Sequence, residues 1–163
     1  MSYAVTFAKD RFKFSAAHFT LFPDGTAERL HGHNYRVRVT LRGKRLKDGL
    51  LFPFHLVKPL IDQLCEAWDE RVLLPAHSAW VRLSVSGAQR DVRVDTPLVS
   101  KRYSFPEEDV VLLNCDNTSL EQLARLFANA LSARLGDLNA AIEGVEVSIS
   151  ESRGQSVTYT RKL

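Results

Sequence analysis

Hydrophobic and polar side chains alternate most regularly over residues 31–42. One parity begins with two histidines and continues with aromatic and aliphatic residues, whereas the other parity is polar. The first set is His31, His33, Tyr35, Val37, Val39 and Leu41. Because successive side chains of a strand point to opposite faces, this pattern predicts a β-strand with one buried face. A second strand is predicted just upstream, where one parity holds Phe12, Phe14, Ala16 and His18.

Two helices are predicted further along the chain. Apolar residues recur at intervals of three and four over residues 55–68, which is typical of an amphipathic helix. A second helix is predicted to begin near Asn117, because Thr118-Ser119-Leu120-Glu121 matches the capping-box pattern.

The remaining elements are strands. Residues 80–95 predict a hairpin that turns at Gly87, and residues 144–151 and 156–161 predict two closing strands. Strands, helix, hairpin, helix and strands follow one another, which favours an α+β fold with an antiparallel sheet. A chain of 163 residues predicts one domain over residues 1–163.

Composition excludes several classes of protein. No apolar run approaches the length of a membrane helix, and the N-terminus lacks the pattern of a secretory signal, so we expect a cytoplasmic protein. The net charge is only +3, and the arginines are spread along strands, which favours a solvated face over nucleic-acid binding. An attraction for phosphorylated substrates stays open. Cys65 and Cys115 are too few for a disulfide framework and are expected to be buried thiols.

Three histidines form the candidate metal site. A His-x-His pair on a strand places both imidazoles on one side, about 6.5–7 Å apart. His31 and His33 could therefore share one tetrahedral zinc, with His18 supplying a third ligand from a neighbouring strand. All three histidines lie on the apolar parity, where an unpartnered imidazole is costly to bury. The alternative is three hydrogen-bonded core histidines.

Glu151 is the second candidate site residue. Val145, Val147 and Ile149 share its face, so the carboxylate ends an apolar row and needs a donor. The donor could be an arginine in a structural ion pair. It could instead be a pair of N–H groups on a bound heterocycle.

These residues lie in motifs that resemble one enzyme family. The motifs are Phe14-Ser15-Ala16-Ala17-His18, Leu30-His31-Gly32-His33-Asn34-Tyr35, Asn117-Thr118-Ser119-Leu120-Glu121-Gln122-Leu123-Ala124 and Ser150-Glu151-Ser152. Together they resemble the 6-pyruvoyl-tetrahydropterin synthase and 6-carboxy-tetrahydropterin synthase family. The resemblance covers residues 8–75 and 113–160.

The resemblance implies a fold, a cofactor and a set of site residues. It implies the tunnelling fold: a four-stranded antiparallel sheet with two helices on one side, assembled as a homohexamer of two trimers with active sites at subunit contacts. It also implies Zn²⁺ on His18, His31 and His33, and a small-molecule pterin substrate. The ring would be anchored by Glu151, with Thr118 and Ser119 as further substrate-binding residues.

The chain also departs from the family pattern. Ala27 stands where synthase members carry a catalytic cysteine, and Asp69-Glu70 replaces their Asp-His pair. Asp69 and Glu70 remain catalytic candidates, although a surface or ion-pair role is the alternative for Glu70. The stretch over about residues 76–112 is longer than in compact members and predicts an extra hairpin insertion.

Glu28, three residues before His31, is a further catalytic candidate. It resembles the glutamate-bearing, cysteine-lacking branch, whose members remove the side chain of dihydroneopterin to give 6-hydroxymethyl-dihydropterin. Zinc would act as a Lewis acid on the side-chain hydroxyls, and the carboxylate would take a proton for retro-aldol cleavage of C1′–C2′. The alternative for Glu28 is an exposed loop acid beside Arg29.

Several functions therefore stay open at the level of the sequence. A lyase on dihydroneopterin or its triphosphate comes first. Formation of 6-carboxy-tetrahydropterin (the queuosine route) or of 6-pyruvoyl-tetrahydropterin is disfavoured by the missing cysteine and histidine. A non-catalytic pterin- or purine-binding paralogue would also keep zinc and the ring anchor, and a purely structural zinc is the remaining alternative.

Overall fold

The computed structural model describes residues 2–136, 142–152 and 154–163. The strands are β1 (Tyr3–Phe7), β2 (Lys13–His18), β3 (His31–Gly43), β4 (Arg71–Pro75), β5 (Val81–Ser86), β6 (Gln89–Asp95), β7 (Ser100–Pro106), β8 (Val110–Leu113), β9 (Gly144–Ser152) and β10 (Gln155–Lys162). The helices are α1 (Phe54–Trp68) and α2 (Leu120–Arg134), and a short 3₁₀ turn spans Glu107–Asp109. No helix in the described part of the chain is long and apolar enough to cross a membrane.

The main sheet has seven strands. Its order is β10-β9-β3-β2-β4-β8, and β1 pairs with the second half of β3. The strands from β10 to β2 are antiparallel, whereas β4 pairs in parallel with both β2 and β8. The α+β class is confirmed, but the predicted four antiparallel strands are only part of this larger sheet. β4 and β8 are short, and apolar runs of four or five residues carry little periodicity.

The insertion is a separate sheet rather than a hairpin. β5, β6 and β7 pair in antiparallel order, and Gly87 lies in the tight turn between β5 and β6 with a φ of 61°. The sequence pattern predicted the first two strands and missed the third. On β7, Lys101 lies on the same inward-facing parity as Tyr103 and Phe105. The alternation of apolar and polar residues along this strand is therefore weak.

The main core lies between the sheet and the two helices. The inward parity of β3, with Tyr35, Val37, Val39 and Leu41, is buried together with Val145, Val147 and Ile149 of β9 and the apolar stripes of α1 and α2. The cross-strand partners Val37–Ile149, Val39–Val147 and Leu41–Val145 fix the register of the two central strands. One end of this buried row continues into the histidines.

The second helix was predicted to begin near Asn117 and begins at Leu120, with its cap one residue later than the predicted capping box implied. Ser119 is the N-cap, and its side chain accepts a hydrogen bond from the backbone N–H of Gln122 at 3.4 Å. The residue three positions after the cap is therefore Gln122 rather than Glu121. Thr118 is therefore not the N-cap of α2.

Candidate active site and metal centre

The strand pairing brings the three histidines together. His18 on β2 is the direct cross-strand partner of His31 on β3, and His33 lies two residues further along the same face. One ring nitrogen from each lies within 4.8 Å of the other two. The ring centroids are 4.8–5.5 Å apart. The three imidazoles that share the inward parity of β2 and β3 therefore form one cluster.

Backbone carbonyls fix the orientation of two of these rings. The Nδ1–H of His18 donates to the carbonyl oxygen of Thr118 at 2.8 Å, and the Nδ1–H of His31 donates to that of Arg29 at 2.7 Å. A carbonyl oxygen can only accept, so both rings carry their proton on Nδ1 and present the lone pair of Nε2. The Nε2 atoms of His31 and His33 are 3.0 Å apart.

This arrangement fits a metal ion. The Nε2 atom of His18 is buried and has no hydrogen-bond partner among the described residues, so an electron-pair acceptor would satisfy it. Two nitrogens on a tetrahedral zinc lie about 3.3 Å apart, given Zn–N distances of about 2.0–2.1 Å. Burial lowers the pKa of His18, which keeps its imidazole in the neutral form that binds metals. His18, His31 and His33 could hold one zinc.

Thr118 supports this site from behind. Its side chain is fully buried, and its hydroxyl donates to the carbonyl oxygen of Phe19 at 2.7 Å. The carbonyl of Thr118 also orients His18, and the predicted contact of Thr118 with a substrate stays a prediction.

A cavity of about 480 Å³ opens in front of the histidines. It is lined by His18, His31 and His33, and also by Glu28, Ser119 and Glu151. The Oε2 atom of Glu28 accepts a hydrogen bond from the backbone N–H of Thr20 at 2.9 Å. The Oε2 atom of Glu151 lies 3.7 Å from Nε2 of His33. The lining of the cavity therefore includes three glutamates, which are Glu28, Glu121 and Glu151.

Tyr35 closes the cluster on the core side. Its ring lies 6.0 Å from that of His18 and 5.7 Å from that of His33, and its side chain is fully buried. Burial raises the pKa of Tyr35, and the negative charges of Glu151 and Glu28 raise it further. The phenol therefore stays neutral behind the histidines.

Asp69 and Glu70 lie away from this cavity. The Oδ1 atom of Asp69 accepts from the backbone N–H of Ser15 at 2.6 Å, and the N–H of Glu70 donates to the carbonyl of Ser15 at 2.7 Å. Glu70 lines a different groove, of about 510 Å³, which His33 also lines. Within one chain, neither Asp69 nor Glu70 lines the cavity that all three histidines share.

Several residues of the site escaped the sequence pattern. Phe22 and Glu121 also line the cavity. The side-chain amide of Asn117 accepts from the N–H of Leu21 at 3.0 Å and donates to its carbonyl at 2.8 Å. Contacts between residues 96 positions apart leave no local periodicity in the sequence.

Comparison with known proteins agrees with this geometry. The family described as 6-pyruvoyl tetrahydropterin synthase matches residues 8–162. A protein of Methanocaldococcus jannaschii, provisionally named 6-carboxy-5,6,7,8-tetrahydropterin synthase, is 35% identical over 93% of this chain and 91% of its own length. The structure of 6-pyruvoyl tetrahydropterin synthase from Plasmodium vivax superposes with a TM-score of 0.91, at 28% identity over 100% of this chain and 99% of that one.

Two further structures of the Plasmodium vivax enzyme carry alanine or cysteine in place of a glutamate described as a catalytic residue, and each covers 100% of this chain with the same TM-score of 0.91. The match over nearly the whole chain, at both the sequence and the structural level, leads to one conclusion. This chain belongs to the 6-pyruvoyl tetrahydropterin synthase family.

Proposed function

We propose that this chain is a zinc-dependent lyase that removes the side chain of 7,8-dihydroneopterin, or of its triphosphate, to give 6-hydroxymethyl-dihydropterin. The observation that supports this most is the carboxylate of Glu28 in the cavity of the three histidines. No thiol lines that cavity, because Cys65 and Cys115 are both buried in the main core. The absence of a thiol from the lining supports a carboxylate as the base.

Glu151, Glu28 and the three histidines have distinct roles in this proposal. Glu151 would anchor the pterin ring by accepting hydrogen bonds from its 2-amino and N3 groups, which are paired donors. Glu28 would take the proton of a side-chain hydroxyl, and its contact with the Thr20 N–H holds the carboxylate in place. A zinc ion held by the histidines would supply Lewis-acid polarisation of the substrate side chain.

The reaction balances with Glu28 as the only base. Removal of the proton from the 2′-hydroxyl lets C2′ become an aldehyde carbon, and the C1′–C2′ bond breaks. Its electron pair moves to C1′ and is stabilised by the adjacent imine of the dihydropterin ring. C1′ then takes a proton, which gives the hydroxymethyl product and a two-carbon aldehyde. No redox partner is needed.

The support for a glutamate base comes from outside this chain as well. In the Plasmodium vivax enzyme, which is 28% identical, a glutamate is described as a catalytic residue. The second candidate function is 6-carboxy-tetrahydropterin synthesis, which is favoured by the provisional name of the 35% identical archaeal relative. The identity of the product separates these two functions.

We propose further that the chain acts as a homo-oligomer, with a hexamer of two trimers as the expected form. Asp69 and Glu70 lie away from the cavity of their own chain. If active sites lie at subunit contacts, these carboxylates would belong to a neighbour's site. Light scattering would measure the mass of the oligomer in solution. Mixed oligomers of Glu28→Gln chains and Asp69→Asn chains would regain turnover only if each active site contains residues of two subunits.

The function is tested by turnover and product identification. Zinc-loaded protein is incubated with 7,8-dihydroneopterin triphosphate, and the products are identified by mass spectrometry. The proposal predicts 6-hydroxymethyl-dihydropterin together with a two-carbon aldehyde triphosphate. A 6-carboxy product would support the second candidate. Tight pterin binding without turnover would contradict both and indicate a non-catalytic paralogue.

The role of Glu28 is tested in the same assay. Glu28→Gln keeps the size and polarity of the side chain but cannot take a proton, so turnover should fall by about 10²-fold or more while zinc content stays unchanged. Glu66→Gln, on the exposed side of α1, is the matched control and should behave like the wild type. Equal turnover of Glu28→Gln and the wild type would exclude Glu28 as the base.

A further inference from the structure

Glu28 lies on a loop that has little regular structure of its own. The loop joins β2 to β3 over residues 19–30, and its only strand-like pairing is an isolated bridge between Leu21 and Ala27. The N–H of Glu28 donates to the carbonyl of Thr20 at 2.9 Å, and the N–H of Thr20 donates to the carboxylate of Glu28 at 2.9 Å. The N–H of Phe22 donates to the carbonyl of Thr26, and the N–H of Gly25 donates to that of Phe22, both at 2.9 Å, so the loop also makes backbone hydrogen bonds within itself.

The insertion sheet β5–β7 supplies further contacts to this loop. The Nζ atom of Lys101 on β7 donates to the backbone carbonyl of Glu28 at 3.0 Å. The hydroxyl of Thr96 donates to the carbonyl of Gly25 at 2.5 Å. Gly25 has a φ of 87°, and a Cβ added there would lie 3.2 Å from Cδ of Pro97, so the loop and the β6–β7 turn are in close contact.

The loop and the insertion also share a hydrophobic core. Phe19 and Leu21 are buried against Val81, Val92 and Val94 of the insertion. The rings of Phe19 and Tyr103 stack with a centroid distance of 6.1 Å. The insertion therefore packs directly against the segment that carries Glu28 and does not project freely from the domain.

Lys101 occupies an unusual position on β7. It lies on the inward parity of the strand, which Tyr103 and Phe105 continue. A lysine on an apolar face is costly unless its ammonium group is paired. No carboxylate of the described residues lies within ion-pair distance of Lys101, and its only hydrogen bond there is the one to the carbonyl of Glu28. Among the described residues, the half-buried Lys101 side chain therefore makes its hydrogen bond to the backbone of Glu28 alone.

We infer that Lys101 is a positioning residue for Glu28, and that the insertion serves to hold the Glu28 carboxylate in the cavity. A misplacement of about 1 Å at a reacting group can cost orders of magnitude in rate. Glu151, which is the proposed ring anchor, lies on β9 and makes no described contact with the insertion. Loss of Lys101 therefore slows the reaction and leaves substrate binding unchanged. Only this kinetic effect rests on the proposed function.

The positioning itself is measured without turnover, through the Thr20 amide. That N–H donates to the Glu28 carboxylate, so its hydrogen exchange reports where the carboxylate lies. Lys101→Met should accelerate exchange at Thr20 severalfold, and Lys101→Arg should restore protection. Arg102→Met, an exposed neighbour on the same strand, is the matched control and should leave Thr20 protected.

Kinetics provide the second readout. Lys101→Met should lower kcat by about tenfold with KM unchanged, and should cause no additional loss in a Glu28→Gln background. Unchanged Thr20 exchange in Lys101→Met, or equal effects of Lys101→Met and Arg102→Met, would overturn the inference. Faster Thr20 exchange in a protein that turns over no pterin would support the positioning role and contradict the proposed function alone.

Discussion

The Nδ1–H of His18 donates a hydrogen bond to the backbone carbonyl of Thr118, a residue 100 positions further along the chain. The hydroxyl of Thr118 in turn donates to the carbonyl of Phe19, the neighbour of His18. Thr118 therefore forms hydrogen bonds with two consecutive residues, His18 at the end of β2 and Phe19 after it, and this pair of bonds is called the Thr118 clasp. This clasp directs Nε2 of His18 toward the other two histidines.

Removal of the clasp should weaken both the fold and the metal site. Thr118→Val deletes the hydroxyl and leaves the buried carbonyl of Phe19 without its donor, which should lower the free energy of unfolding by about 1–3 kcal/mol. The variant keeps the carbonyl of Thr118 that orients His18, so zinc affinity should fall only because that carbonyl shifts, by up to the roughly 10–100-fold that such orienting groups contribute. Urea unfolding and competition with a zinc chelator measure the two effects.

Thr158→Val on the exposed side of β10 is the matched control, and it should change neither quantity. If Thr118→Val binds zinc as tightly as the wild type does, the orientation of His18 does not depend on this clasp.

Asn117 anchors the Glu28 loop from the other side. Its amide both accepts from and donates to the backbone of Leu21, so Asn117→Ala leaves two partly buried peptide groups without partners. The free energy of unfolding should fall by about 1–3 kcal/mol, as measured by urea denaturation. Asn114→Ala, an exposed asparagine three residues away, should cost far less. Equal losses in the two variants would contradict this anchoring role.

The two thiols give a pH dependence of stability. Burial raises the pKa of Cys65 to about 12 and that of Cys115 to about 11, from an ordinary value of 9.0. A thiol whose pKa is raised by folding contributes stability that is fully present below pH 9, and this contribution is lost as the pH rises toward the folded values. The free energy of unfolding should therefore decline between pH 9 and about pH 12.

A Cys65→Ala, Cys115→Ala double variant isolates the thiol contribution, because other groups also titrate in that range. Its unfolding free energy should decline less steeply than that of the wild type in the same urea series. The native wild-type thiols should also resist alkylation at pH 8, since only the thiolate reacts. Parallel declines, or rapid alkylation of the native protein, would show that the thiols are accessible.

The parity of β3 explains why the centre of this fold could be predicted. Over 13 residues the buried and exposed positions alternate with few exceptions, so the sequence places His31 and His33 on the core side. The strands β4 and β8 could not be predicted in the same way. Val72, Leu73 and Leu74 form a continuous apolar run, and whether such a run pairs in parallel depends on distant neighbours.

The part of the site that could be predicted from the sequence is the part that strand parity determines. Strand parity was enough to group three histidines, whereas the roles of Thr118, Asn117 and Lys101 depend on hydrogen bonds that span 73–100 positions. The same limit applies to Asp69 and Glu70. Nothing in the neighbouring sequence indicates that both residues form hydrogen bonds with the backbone of Ser15. These contacts place them outside the cavity of the three histidines.

The zinc content of the purified protein tests the central claim most directly. Elemental mass spectrometry should find one zinc per chain in the wild type and in His55→Ala and His77→Ala, whose exposed histidines lie outside the cluster. The same measurement should find little zinc in His33→Ala. Substoichiometric zinc in wild-type protein after zinc loading and gel filtration, or equal zinc in His33→Ala and the wild type, would contradict a metal centre on His18, His31 and His33.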